Sequence, residues 1–163
     1  MIRLSLVGVR VEVPSNQPIV LLREEAPGRR YLPIFIGQPE ATAIVYAPQG
    51  MESPRPMTHD LFKNVLEDLT ARIDKIVITE LKEGTFYAEL EVLLGGNGNA
   101  HRISSRPSDA IALAVRYEDT VPIFADEAVL EEAGVLFEND EEEEQVEQFR
   151  EFLDQVQPED FAQ

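Results

Sequence analysis

Apolar residues near the start of the chain alternate with polar ones: Ile2, Leu4 and Leu6, then Val11 and Val13, with the phase changing near Gly8 and Val9. A period of two marks a strand with one buried face, and the change of phase predicts a bulge, because one inserted residue restores the facing of the apolar set. Pro14-Ser15-Asn16-Gln17-Pro18 breaks this strand, and a second is predicted over 19–23. Ala26-Pro27-Gly28-Arg29 reads as a turn. The stretch 31–37 (YLPIFIG) is strongly apolar, and Pro33 within it suits an edge strand or a bulge.

A helix is expected from Gln38 or Pro39 through Ala47, ending before Pro48, Gln49 and Gly50. At 58–70, Phe62, Val65, Leu66 and Leu69 fall on one helical face, with Thr58 placed to cap it. Residues 73–81 and 85–94 predict a hairpin across Lys82, Glu83 and Gly84, since Gly84 can take a positive φ. In its second strand Phe86, Ala88, Leu90 and Val92 alternate with Tyr87, Glu89 and Glu91, so one face is wet. A loop at 95–99 leads to a strand at 100–105. Residues 107–117 predict a helix whose unbroken apolar run, Ala110 to Val115, implies enclosure by other elements. A short strand at 121–125 and a turn or short helix from Asp126 follow.

These elements predict an α+β fold: one compact domain over 1–135, with a largely antiparallel or mixed β-sheet packed by helices. Residues 136–163 are then an acidic linker and an acidic C-terminal helix. Val146, Phe149, Leu153 and Val156, spaced 3, 4 and 3, give that amphipathic helix a seam for the body, a second subunit or another protein. A lone helix of this length is marginal in water.

Charge sharpens the division. Residues 1–116 carry 13 Lys/Arg and 14 Asp/Glu, whereas 117–163 carry only Arg150 against 17 acidic residues. The net charge of −17 therefore describes a nearly neutral body with an acidic end. Nucleic-acid partners are not excluded, because Arg55, Arg72, Arg102, Arg106 and Arg116 can supply local positive potential. The absence of cysteine removes disulfides and thiolate chemistry, and suits a reducing cytosol. No stretch approaches 18 apolar residues and the charged N-terminal strand is no signal peptide, so a cytoplasmic protein without membrane association is expected.

Candidate chemistry gathers at two similar turns. Arg55-Pro56-Met57-Thr58-His59-Asp60 and Arg106-Pro107-Ser108-Asp109 each set proline at a helix entry with a carboxylate in the first turn. Capping and ion pairing account for such a pattern, Arg106 joining Asp109 or Asp60. Alternatively, Arg106 and the free amides at a helix start hold a phosphate. His59 can act as a base or a ligand, or lie on the surface. Glu40, Glu80, Glu89 and Glu91 add carboxylates that, with Asp60 or Asp109, suit Mg2+ or Mn2+. No nucleotide-binding glycine loop, HExxH or GxSxG motif is present, and no organic cofactor is expected.

Taken together, LPIFIGQPEATAI (32–44), RPMTHDL (55–61), GTFYAEL (84–90), RPSDAIALAVR (106–116) and VPIF (121–124) resemble the bifunctional nuclease family, a domain found widely in bacteria and in plants. The resemblance covers about residues 1–135. It implies a compact α+β domain that forms a homodimer or higher homo-oligomer, and a DNA or RNA substrate, since plant members are described as acting on both. Its polar positions here are Glu40, Arg55, Thr58, His59, Asp60, Arg106, Ser108 and Asp109.

Two readings follow. In the first, a metal-dependent nuclease, Asp60, Asp109 and Glu40 hold Mg2+ or Mn2+, and His59 activates water or assists the leaving oxygen. Arg55 and Arg106 steady phosphate charge, with Thr58 and Ser108 at the helix starts. In the second, a noncatalytic oligomeric regulatory or interaction module, the same residues are helix-start architecture and residues 146–156 contact a protein partner.

Overall fold

In the computed structural model, which describes residues 1–25, 30–47, 53–95, 98–119 and 121–136, the expected phase change in the first strand is a bulge. Strand β1 (Ile2–Glu12) pairs antiparallel with β2 (Gln17–Glu24), and their register shifts between Leu6 and Gly8, where Gly8 takes φ 149°. The turn at 26–29 and the seam at 146–156 lie outside the described residues. Strand β3 (Tyr31–Phe35) pairs with β2 and forms one edge of the sheet, so Pro33 costs no interior ladder.

The chain continues as α1 (Gln38–Tyr46), α2 (Thr58–Asp68), β4 (Ala71–Lys82), β5 (Thr85–Leu94), β6 (Ala100–Ser105), α3 (Pro107–Ala114), β7 (Ile123–Ala125) and α4 (Glu127–Ala133). The hairpin turn is tighter than expected. Lys82 and Thr85 pair across it, leaving Glu83 (φ 51°) and Gly84 (φ 75°) to match the twist of the strands.

Seven strands form one sheet in the order β3-β2-β1-β7-β4-β5-β6. Neighbours are antiparallel except β7 and β4, which run parallel. The sheet is therefore mixed and helix-packed, as an α+β fold requires. Helix α4 touches both β4 and β3, although these lie four places apart in the strand order. At about 4.8 Å per step a flat sheet would hold them near 19 Å apart, so this sheet curls.

One continuous core fills the curl. Val20, Leu22, Leu32, Ile44, Ile76, Ile78, Ile111 and Leu130 are fully buried within it. Helix α3 runs through this core with every residue buried but Asp109, and Ala110, Ala112 and Ala114 keep its surface low enough for close packing. It is shorter than the predicted 107–117. Beyond Ala114, Arg116 and Tyr117 bond to Leu113 and Ala114 three residues back, and this tightening re-aims the Arg116 side chain.

Helix α2 departs from expectation at its cap. Thr58 is its first helical residue rather than its cap; Met57 is the extended cap, and the Asp60 carboxylate accepts the Met57 N–H at 2.9 Å. More consequentially, its apolar side chains face outward. Leu61, Phe62, Val65 and Leu69 are 56%, 47%, 46% and 67% exposed, and only Leu66 packs on the core. The side turned to α3 is polar: His59 bonds Asp109, Asp60 bonds Arg116, and the Lys63 ammonium lies 5.2 Å from the Tyr117 ring centroid.

Candidate active site

The site is built where the first turns of α1, α2 and α3 meet. Arg106 is extended (φ −74°, ψ 143°) and Pro107 opens the helix behind it, so the guanidinium folds back over the first turn of α3. There it grips Asp109 with two bonds, Nε to Oδ2 at 2.7 Å and Nη2 to Oδ1 at 3.1 Å. Its Nη1 reaches Glu40, in the first turn of α1, at 2.9 Å. From α2, His59 Nε2 meets Asp109 Oδ1 at 3.1 Å. Asp109 is thus the hub of the cluster.

Beside this cluster opens a cleft of about 630 Å³. Thr58, His59, Ser104, Ser105, Arg106 and Asp109 give it polar walls, and Phe62, Leu90, Ile103 and Leu113 apolar ones. Arg106 and Glu40 also line a second cleft of about 500 Å³, with Phe35, Thr85 and Ser108. Ser108 is buried and borders only the second of these two. Arg55 is exposed and lines neither. Thus Glu40, Thr58, His59, Arg106 and Asp109 are brought together, whereas Arg55 and Ser108 stand apart.

Asp60 is engaged elsewhere. One oxygen accepts the Met57 N–H and the other accepts Arg116 Nε at 2.6 Å. Arg116, whose side chain is 4% exposed, also donates to the carbonyl oxygens of Ala43 at 2.7 Å and Ala112 at 2.5 Å. One guanidinium therefore ties α1, α2 and α3 together behind the cleft. Sequence reasoning assigns Arg116 only a share of the surface charge. The signal for more is its position at the end of a buried apolar run, where an arginine needs a carboxylate and carbonyl partners.

Burial would raise the carboxyl of Asp109, but the bonds and charges of Arg106 and His59 hold it below the ordinary carboxylate range. Asp60 has the same balance: burial raises it, and Arg116, the Met57 amide and the His59 charge together bring it lower. Arg106 holds its proton more tightly than usual because Asp109 and Glu40 accept from it. Depressed carboxylates stabilise the fold above their unfolded pKa, about 3.9 for aspartate, and that contribution is lost as pH falls through the lower folded values. Thermal unfolding followed by circular dichroism should therefore show a falling Tm below about pH 4, and the cost of Asp60→Asn should shrink over the same window.

Among the described residues no group of three or more metal-ligating side chains stands close enough to hold an ion. Two of the three carboxylates expected to do so share one cation, since Arg106 bridges Asp109 and Glu40. The third, Asp60, has both oxygens occupied. Two hard-oxygen carboxylates are a usual protein contribution to Mg2+, which takes its other ligands from water and substrate phosphate. Asp109 is no freer than Asp60, its Oδ2 taken by Arg106 Nε and its Oδ1 by Arg106 Nη2 and His59 Nε2, so the three carboxylates as they stand do not fit a divalent ion.

Residues 20–138 match the family model of the bifunctional nuclease domain, a span that contains every residue of this cluster. An uncharacterized protein of Mycobacterium tuberculosis is 50% identical over 164 aligned residues, covering 96% of this chain and 95% of that relative. A protein of Oryza sativa subsp. japonica named Bifunctional nuclease 2 is 26% identical over 117 residues, 71% of this chain and 35% of its own length. The Bifunctional nuclease of Oryza minuta is 26% identical over 129 residues, 71% of this chain and 38% of that protein. No helix among the described residues is long and apolar enough to cross a membrane.

Proposed function

The chain belongs to the bifunctional nuclease domain family, and on that premise we propose that it hydrolyses phosphodiester bonds of DNA or RNA in the cleft between α1, α2 and α3. The observation that carries this reading is the bond between His59 and Asp109 beside an Arg106 guanidinium that is 63% exposed. A carboxylate only accepts, so in the neutral ring the Asp109 bond places the proton on Nε2 and leaves the Nδ1 lone pair free. His59 Nδ1 takes a proton from the attacking water as its oxygen bonds to phosphorus. The P–O bond to the leaving nucleoside then breaks, and the imidazolium returns its proton to that oxygen. Asp109 orients the ring and steadies its positive charge.

Arg106 uses three donors on Asp109 and Glu40, and a guanidinium has five, so two remain for the phosphate. Thr58 lies on the same wall, within the cleft lining. Asp60 acts at a distance, by fixing Arg116 and the start of α2.

The expected result for His59→Ala is a roughly 100-fold loss of kcat on oligonucleotides, the lower range for removal of a general base, with little change in KM. Single-turnover assays on protein purified identically to the wild type check this, because a contaminating nuclease would leave both preparations equally active. Equal rates would reject the proposal. They would favour a noncatalytic interaction module, a reading that draws on the outward apolar stripe of α2.

A further inference from the structure

Among the described residues, the two clefts share only Arg106 and Glu40. The larger adds residues of α2 and β6; the smaller adds β3 and the turn into β5. The ion pair is therefore a ridge between two basins. Each basin holds a phenyl ring open to solvent: Phe62, 47% exposed, in the larger and Phe35, 52% exposed, in the smaller. A single exposed phenylalanine is ordinary on a protein surface. One on either side of a guanidinium with two unused donors is a different matter, because the arrangement repeats the order base, phosphate, base.

Charge alone would not hold a strand here. The charged and titratable side chains lining the two clefts are Arg106, His59, Asp109 and Glu40, so with a neutral imidazole the carboxylates outnumber the cation. Arg102, beside Ile103 of the cleft wall, faces Glu91 at 3.7 Å. A protein that follows a strand by its phosphates needs a run of cations, and among the described residues none lines these clefts. Affinity has to come from uncharged contacts, and stacking of a base on an aromatic ring is one that every base can make.

We infer that the ridge and its basins bind a dinucleotide step of single-stranded nucleic acid, one phosphate on Arg106 and the flanking bases stacked on Phe62 and Phe35. The inference rests on the proposed reading for the phosphate at Arg106, and not for the hydrolysis. Ile103 and Leu90 wall the basin of the first base, and Phe86 that of the second. In a duplex each base is covered by its neighbours in the stack, so a paired strand reaches neither ring until it is unstacked. The two rings, rather than a basic surface, then select single strands.

Fluorescence anisotropy of the full-length protein with a labelled phosphorothioate strand, whose linkages resist cleavage during the titration, tests this. Phe62→Ala and Phe35→Ala should each weaken binding about tenfold, within the usual cost of losing one stacked base. Phe62→Tyr should bind like the wild type, whereas Phe62→Leu, which keeps apolar bulk without the ring, should lose most of that tenfold. Log affinity should fall against log salt with a slope of about −0.7, the value for one phosphate of a single strand. The same strand in a duplex should bind about tenfold more weakly or worse. Absent binding, equal affinity for the duplex, a slope of several units, or alanine variants that bind like the wild type would each overturn the inference. The hydrolytic reading fails separately. Ring-dependent binding of an unmodified strand that is never cut sinks hydrolysis alone, and cleavage with KM unmoved in both alanine variants sinks this inference alone.

Discussion

Arg116→Met should lower the free energy of unfolding by about 3 kcal/mol, the low end for breaking a buried ion pair. Three partners lose their donor at once. The Ala43 and Ala112 carbonyls lie inside the domain, and each unsatisfied buried acceptor costs about 1–3 kcal/mol. The Ala112 carbonyl is especially dependent, because the backbone N–H of Arg116 has turned to Leu113 instead. Asp60 recovers part of its loss from water, being 38% exposed, which keeps the total from the upper end of the range. Arg116→Lys should restore only part of the stability, since a single ammonium on a flexible stem cannot copy a fork aimed at three acceptors. Urea denaturation checks both: the midpoint should fall with an unchanged slope. A loss below about 1 kcal/mol for the methionine variant would mean that Arg116 is not the tie between the three helices.

The second large effect is on activity. Asp109→Asn should reduce kcat by about 1,000-fold or more while leaving the circular dichroism spectrum unchanged, because one substitution disables several devices. An amide can present its NH2 to His59, which favours the wrong imidazole tautomer and removes the charge that steadies the imidazolium. It also leaves Arg106 with Glu40 as its sole charged partner, so the guanidinium loses its bidentate anchor and its aim. The KM should rise modestly for the same reason. Steady-state and single-turnover kinetics separate the two parameters, and full wild-type activity in the D109N variant would remove the cluster from the chemistry.

Much of the fold is legible in the sequence because its determinants are local. Alternation in β1 and β5, the Glu83-Gly84 turn and the buried run of α3 each announce an element within a dozen residues. For α2 the pattern is incomplete, and the cause is physical. Helical spacing reveals that Phe62, Val65 and Leu69 share a face, but the destination of that face is a tertiary property. His59, Asp60 and Lys63 claim the inner side through partners 50 or more residues away. The meeting of the two arginine-proline turns is likewise visible as a pattern, and the contact between His59 and Asp109 gives it substance. The division of labour is not visible. Asp60 and Asp109 each stand third in their helices, and only the position of Arg116 makes the first a brace and the second the hub.

The placement of β7 has a consequence for synthesis on the ribosome. Strands β3-β2-β1 and β4-β5-β6 are each complete ladders within contiguous stretches of chain, yet among the described residues they join through the short strand Ile123–Ala125, which is translated after all of them. Until that tripeptide emerges, Ile2 to Leu4 on one half and Ile76 to Ile78 on the other are bare backbone edges. A nascent chain therefore carries the first half-sheet with an open edge from the completion of β3 (Tyr31–Phe35) until β7 is made, and between β6 (Ala100–Ser105) and β7 it holds two unjoined half-sheets, in the state that chaperones recognise and aggregation exploits.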